Sequence, residues 1–339
     1  MSANTLLHPS GQGLYCPAGD FYIDPWEPVP RAIVTHAHGD HLRPGSGAYL
    51  AARPGEAIAR ARLYEYAGSL RTVPYGEEVW VNGVKVSLHP AGHILGSAQV
   101  RVEYHGEVWV VSGDYKLQPD PTCAPFEPLH CDTFITEATF GLPIYRWPAA
   151  ESVFAEINAW WRENQAAGRA SVLYAYVLGK AQRVLAGVDA SIGPLFTHGA
   201  VERINALYRS LGVELPSTRL VTSASRSELA QGLTIAPISV RATPWFRRFG
   251  EHSSAFASGW MRIRGARRRQ AVDRGFILSD HVDWPDLNRA VRLTGARRVW
   301  VTHGYTNVVA RWLEEKGLES QPLETRYTGE VGEPEIENE

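Results

Sequence analysis

The chain has 339 residues, of which 44% are hydrophobic and 21% charged, with a formal net charge of −2. That length supports one large or two medium domains with a full core, and the charge balance excludes a polycation. No uncharged run reaches the length of a membrane span, so no membrane partner is expected. The three cysteines (Cys16, Cys123 and Cys131) form no C-x-x-C pair. A disulfide framework or a thiolate zinc site is therefore not expected, and a reducing compartment fits. The N-terminal residues carry no basic stretch followed by an apolar one, so no secretory leader is expected and the expected location is cytoplasmic.

In chain order, the first half is a series of short apolar runs punctuated by Gly, Pro and Asp. AIVTHAH, VKVSLHPAGH, AQVRVEYHG, EVWVVSGDY and TFITEATFG each predict a strand that ends in polar or metal-capable residues. VKVSL and QVRVEY alternate, as half-buried antiparallel strands do, and Gly106 marks a hairpin turn. From about Pro148 the texture changes. ESVFAEINAWWRENQAAG has helical periodicity with Gly168 as its stop, and strand-like and helix-like segments then alternate, as in a parallel α/β unit. Near Gly275 the strand-then-ligand texture returns with GFILSDH, a helix from about Trp284 to Leu293, RRVWVTHG, and a helix from about Asn307 to Lys316. The expected organisation is a discontinuous catalytic domain, residues 1–144 and 273–329, interrupted by an α/β insertion at 145–272. Residues 330–339 read as an acidic, solvated tail.

The strongest local signal is Thr35-His36-Ala37-His38-Gly39-Asp40-His41, directly after the strand RAIV. Four metal-capable side chains within six residues, imidazole and carboxylate without thiolate, suit zinc, manganese or iron. His93 lies in AGHILGSA, Asp114 closes VWVVSGD, His303 closes VWVTHG, and Asp24 ends FYID. Each alone reads equally as a structural turn or core residue. The recurrence of one arrangement, an apolar strand followed by a ligand, points to a shared metal site.

These motifs resemble those of the metallo-β-lactamase superfamily. The resemblance implies an α/β fold, an αββα sandwich carrying its site along one sheet edge. By position it implies one metal held by His36, His38 and His93 and a second by Asp40, His41 and His303. Asp114 would bridge the two, and Asp24 would sit behind them and orient the histidine loop. Two divalent metal ions, zinc or manganese, are the implied cofactors. Two adjacent cations can acidify a shared water and offset charge on a scissile phosphate.

Further motifs resemble the β-CASP branch, whose members process nucleic acid. Glu137 in Thr136-Glu-Ala-Thr-Phe-Gly matches the motif A acid, His281 in Phe276-Ile-Leu-Ser-Asp-His the motif B histidine, and His303 motif C. The pattern implies that Glu137 orients His281, which protonates the leaving oxygen, with Asp40 also in the catalytic set. The insertion between Glu137 and His281 corresponds to the inserted α/β β-CASP cap domain. Nearly the whole chain, from Gly13 through Gly304 and including Gly179-Lys-Ala-Gln in the insertion, most resembles bacterial ligase-associated DNA exonucleases. That implies a single-stranded DNA exonuclease acting 5′ to 3′ in DNA repair, DNA being favoured over RNA, with a DNA ligase or helicase as a possible partner. A β-CASP ribonuclease is the alternative, and a small-molecule metallohydrolase a more distant one.

For nucleic-acid contacts the sequence offers Lys180 at a strand-to-helix junction, Ser97 on the turn after His93, and Arg264, Arg267 and Arg268 in an arginine cluster at 262–274, with Trp260 and Phe256 as stacking aromatics. A plain helix start, a turn hydroxyl and a solvated basic hairpin with core aromatics are the alternative readings.

Overall fold

The computed structural model describes residues 5–265 and 271–324. It divides into two compact units. One holds the residues up to Tyr145 together with those from His281 onward, and the other is Arg146–Asp280.

The first unit is built on two sheets. Six short strands follow chain order: β1 (His8–Pro9), β2 (Leu14–Cys16), β3 (Phe21–Ile23), β4 (Arg31–Ile33), β5 (Ala48–Ala52) and β6 (Leu70–Val73). β1 to β3 pair antiparallel and β3 to β6 parallel. Helix α1 (Glu56–Leu63) packs on β5.

The second sheet has seven strands. Two-residue hairpins join β7 (Val79–Val81) to β8 (Val84–Pro90) and β9 (Ala98–Tyr104) to β10 (Glu107–Val111). Both loop residues are left-handed in each case, Asn82-Gly83 and His105-Gly106, as the tight turns that match strand twist require. β11 (Thr133–Ala138), β18 (Arg298–Gly304) and β19 (Glu319–Pro322) extend the sheet as parallel strands.

Phe21, Ile33 and Leu50 from the first sheet, Leu7 just before it, and Val86, Val100, Trp109 and Ile135 from the second share one buried core. The outer face of the second sheet is covered by α6 (Trp284–Thr294) and α7 (Thr306–Glu315), through Leu287, Val291, Val309 and Leu313 against Val110, Phe134 and Val299. Asp283 caps α6 through the Asp286 N–H, and left-handed Gly295 ends it.

The second unit has a six-stranded sheet in the order β14-β13-β15-β12-β16-β17, parallel throughout. Its strands are β12 (Ala170–Tyr174), β13 (Leu195–Thr197), β14 (Arg219–Leu220), β15 (Leu233–Ala236), β16 (His252–Ala257) and β17 (Arg274–Phe276). Around it lie α2 (Ala150–Ala166), α3 (Lys180–Gly187), α4 (Gly199–Ser210) and α5 (Arg226–Gln231). The core strands are buried on both faces, which is why they read as continuous rather than alternating apolar runs. The whole chain is therefore a mixed α/β protein, and no described helix is long and apolar enough to cross a membrane.

The stability of the first unit rests on its largest buried side chains. Trp109 is fully buried and packs edge-on against Trp300 at 4.7 Å. Trp109→Ala is expected to cost about 3–5 kcal/mol in a denaturant titration. A loss below about 1 kcal/mol would mean that Trp109 is not tightly packed in the core.

Candidate metal centre

The ends of these strands deliver polar side chains to one place. β4 leads into Val34 and Thr35, and the chain then turns through His36–His41. His93 follows β8, Asp114 follows β10, and His303 lies near the end of β18. His36, His38, His93 and Asp114 can each offer one atom to a set whose members all lie within 4.8 Å of one another. His38 Nδ1 is 3.1 Å from His36 Nε2 and 3.1 Å from His93 Nε2, and Asp114 Oδ2 is 3.5 and 3.8 Å from the same two nitrogens. Ligand atoms around a tetrahedral zinc sit roughly 3.3 Å apart, so the spacing fits a cation.

Behind this set stands Asp24, in the left-handed region at φ +45° just after β3. Its Oδ1 accepts the Thr35 N–H at 2.8 Å. Its Oδ2 accepts the Thr35 hydroxyl at 2.6 Å and His41 Nδ1–H at 2.7 Å. With its proton given to Asp24, the Thr35 oxygen faces His36 Nδ1 at 3.1 Å as an acceptor. One carboxylate thus orients two imidazoles, His41 directly and His36 through Thr35, and turns both Nε2 atoms inward toward Asp114. Gly113 permits the close approach. It lies at φ +57°, and a Cβ there would sit 2.6 Å from Thr35 Cβ.

A second set adjoins the first. His41 Nε2 lies 3.4 Å from Asp40 Oδ2 and 3.6 Å from Asp114 Oδ2, is buried, and has no hydrogen-bond partner among the described residues. An orphaned imidazole nitrogen facing two carboxylates fits a cation, because buried polar groups are otherwise satisfied by a partner. The His303 ring centroid is 5.5 Å from that of His41. His303 takes the left-handed conformation at φ +54° because β18 bulges there. Thr302 pairs with Glu137 and Gly304 with Ala138, leaving His303 outside the strand register. Gly304 is required next to it, since a Cβ would fall 2.3 Å from the Ala138 carbonyl oxygen. An apolar cavity of about 60 Å³ opens beside His41 and His303, lined further by Leu14, Ile23 and Val111.

The third group is buried. His281 Nδ1 lies 2.9 and 3.0 Å from the two Glu137 oxygens and 3.9 Å from Asp114 Oδ2. Glu137 Oε1 also accepts the Tyr115 N–H at 3.0 Å. Burial opposes charge on Glu137, but His281 outweighs it and holds the carboxyl below its ordinary range.

The electrostatics are those of crowded, buried imidazoles and carboxylates. Burial, and then the charges of His41 and the other histidines, push His36 well below the usual imidazole value. Burial raises the Asp114 carboxyl, and Glu137 raises it further. Lost solvation and then His41 lower His303 to about 4. His41 goes the other way: burial opposes its charge, yet Asp40, Asp114 and Asp24 lift it well above normal. Bound cations would invert this logic.

The remaining sequence candidates lie elsewhere. Ser97 is buried, and its Oγ accepts the N–H groups of His93 and Ile94, so it holds the His93 turn. Lys180 is fully buried at the start of α3, 3.8 Å from Asp280 and over the Tyr176 ring. Arg264 is exposed, whereas Arg267 and Arg268 lie outside the described residues, as does the acidic tail at 330–339. Phe256 is 5% exposed and packs in the core of the second unit, which leaves no face for stacking, while Trp260 is half-buried. Two further groups carry little signal in sequence. Thr35 is legible only as part of the histidine motif. The fully buried Lys116–Asp120 pair, 2.8 Å apart just after Asp114, offers only its i,i+4 spacing.

No family model matches the chain. It is 33% identical over 311 residues to a probable DNA ligase of Opitutus terrae, which covers 91% of this chain and 30% of that protein. It is 26% identical over 145 residues to an RNase J-like protein of Methanocaldococcus jannaschii, 40% of this chain and 34% of that protein. The chain thus spans about a third of the length of these relatives. A crystal structure of a protein of unknown function from Enterococcus faecalis V583 superposes with a TM-score of 0.59 at 13% identity, covering 87% of this chain and 79% of that one, a likeness of fold alone.

Two outcomes test this geometry. Thr35→Val is expected to weaken metal binding about 10- to 100-fold in a chelator competition, because His36 loses its tautomer guide. Unchanged affinity would remove Thr35 from that role. Without metal, the raised His41 pKa keeps a proton on His41 through neutral pH, and metal uptake must displace it. Affinity should therefore rise with pH across the neutral range and level off above the His41 pKa. Calorimetry in buffers of different ionisation enthalpy should register release of about one proton or more. Uptake with no proton released would exclude His41 as a ligand.

Proposed function

We propose that this chain is a two-metal phosphodiesterase of the metallo-β-lactamase, β-CASP type, and that it is an exonuclease on single-stranded DNA. The observation that carries the reading is the convergence of His36, His38, His93 and Asp114 beside the orphaned His41 Nε2, with the His281–Glu137 pair buried next to Asp114.

In this reading His36, His38, His93 and Asp114 hold one divalent cation. Asp40, His41 and His303 would hold a second, with Asp114 reaching both sets of residues. Zinc and manganese both suit this donor set. Such cations, when bound, acidify water and offset charge on the scissile phosphodiester. The protein's own groups do the rest. Asp24 and Thr35 hold the outer nitrogens of His41 and His36, so that the inward nitrogens can serve as donors once the second proton of His41 has been displaced. Glu137 accepts the Nδ1–H of His281 and stabilises the doubly protonated ring, so that Nε2–H can pass its proton to the leaving oxygen. Burial of the pair keeps bulk water from competing for that proton.

The DNA substrate, 5′ to 3′ polarity and a role in repair follow the resemblance of the motifs, and the relative named a probable DNA ligase supports the DNA part of that reading alone. The RNase J-like relative supports RNA as the second reading. A DNA ligase or helicase is the proposed protein partner.

His281→Ala is expected to slow cleavage about 10²- to 10⁴-fold while metal content stays unchanged. End-labelled DNA and RNA strands of one sequence, digested with manganese or zinc beside an Asp40→Ala control, measure this and report the polarity. Loss of metal in His281→Ala would make His281 a ligand instead. Faster shortening of RNA than of DNA would overturn the DNA assignment.

A further inference from the structure

Charge is distributed unevenly along this chain. Residues 146–280 contain 18 Lys and Arg against 10 Asp and Glu, a net +8 inside a protein whose total is −2. All but Lys180 of those cations are arginine. Several are committed within the second unit: Arg162 to Asp189, Arg209 to Glu202, Arg219 to Glu228, and Arg183 to Asp280.

One group is different. After β15 the chain makes two 3-10 turns, Ile238–Ala242 and Pro244–Arg248, which carry Arg241, Arg247 and Arg248. Arg226, at the start of α5, reaches the same segment by donating to the Arg247 carbonyl at 3.1 Å. Among the described residues none of these four guanidinium groups has a carboxylate within ion-pair distance. The nearby acid Glu228 is occupied by Arg219 and by the Ser225 cap. Arg241 keeps one guanidinium nitrogen buried without an acceptor among the described residues. Arg226, Arg247 and Arg248 share one segment, and like charges there repel one another unless an anion sits among them.

The patch also carries an aromatic side chain. Arg248 Nε donates to the Trp245 carbonyl at 3.0 Å, and its guanidinium lies 5.5 Å from the Trp245 ring centroid. Trp245 is half-buried, held from beneath by Phe249 at 4.8 Å, and Arg226 and Arg247 are exposed. Guanidinium groups pinned by backbone carbonyls beside a half-exposed indole combine phosphate attraction with a stacking platform, the pairing that holds single strands without reading sequence.

We propose that the patch formed by Arg226, Trp245, Arg247 and Arg248 is a binding surface for single-stranded nucleic acid, its arginines on phosphates and the Trp245–Arg248 stack under a base. The proposal rests on the nuclease reading and adds a location for strand contact that differs from the arginine cluster at 262–274. The exposed members make the test clean, since neither Arg226 nor Arg247 supports the core.

The test is fluorescence anisotropy of a fluorescein-labelled oligothymidylate with cleavage-resistant phosphorothioate linkages, titrated with the full chain at several salt concentrations. The Arg226→Glu/Arg247→Glu variant should bind at least about tenfold more weakly, and the slope of log Kd against log salt should fall by roughly 1.4, the value for two lost phosphate contacts to a single strand. Trp245→Ala should weaken binding about tenfold with the slope unchanged. A charge-matched control on exposed arginines elsewhere in the second unit, Arg169→Glu/Arg203→Glu, should lose much less. Wild-type affinity and slope in the first variant, or an equal loss in the control, would overturn the patch. Failure of the nuclease reading looks different, because the unaltered protein would then neither bind nor shorten the unmodified strand.

Discussion

The centre of the first unit depends on what the Asp24 carboxylate does with its two oxygens. Buried imidazoles cannot converge nitrogen to nitrogen unless each is held in one tautomer and their shared space contains positive charge. Asp24 supplies the first condition. It takes the His41 Nδ1 proton itself and the Thr35 hydroxyl proton, and Thr35 then faces His36 as an acceptor. Its other oxygen ties down the Thr35 N–H, where the strand from Arg31 ends and the histidine loop begins. The second condition is what leaves His41 Nε2 buried and orphaned among the described residues.

The rest of the first unit serves that convergence. Sheet edges supply rigid strand ends, and local backbone strain turns the side chains inward. Asp24 and His303 both sit in the left-handed region, where a residue with a Cβ carries a conformational cost that surrounding structure must hold in place. At His303 the holding structure is the bulge between β11 and β18, which also positions Glu137 on the paired strand. His303 on one side and the Glu137–His281 pair on the other are therefore set by the same strand pair.

Much of this is legible in the order of residues along the chain. Candidate ligands such as His36, Asp114 and His303 lie at the ends of apolar strands, and a strand's end is visible in sequence because its burial pattern stops there. The α2 helix is legible from its periodicity and Gly168, and the β9–β10 hairpin from Gly106. Burial of isolated polar residues is not legible, because it depends on partners far away in the chain. Lys180 suits a phosphate by its place before α3, yet Asp280, a hundred residues later, accounts for it. Ser97 reads equally as a phosphate contact and a turn residue in sequence, and its hydroxyl caps the His93 turn. Phe256 lies in a strand buried on both faces, which the continuous run HSSAFA does not distinguish from an edge. The Asn82-Gly83 pair is as plain a hairpin signal as Gly106, although the β7–β8 turn that it makes was not among the sequence expectations.

The most direct measurement is an anomalous-difference map from crystals of the full chain grown with manganese. Two peaks about 3.5–4 Å apart are expected on either side of Asp114, one among His36, His38 and His93 and the other against His41 Nε2. A map with no peak at these histidines, or with ions held by other residues, would contradict the account at its centre.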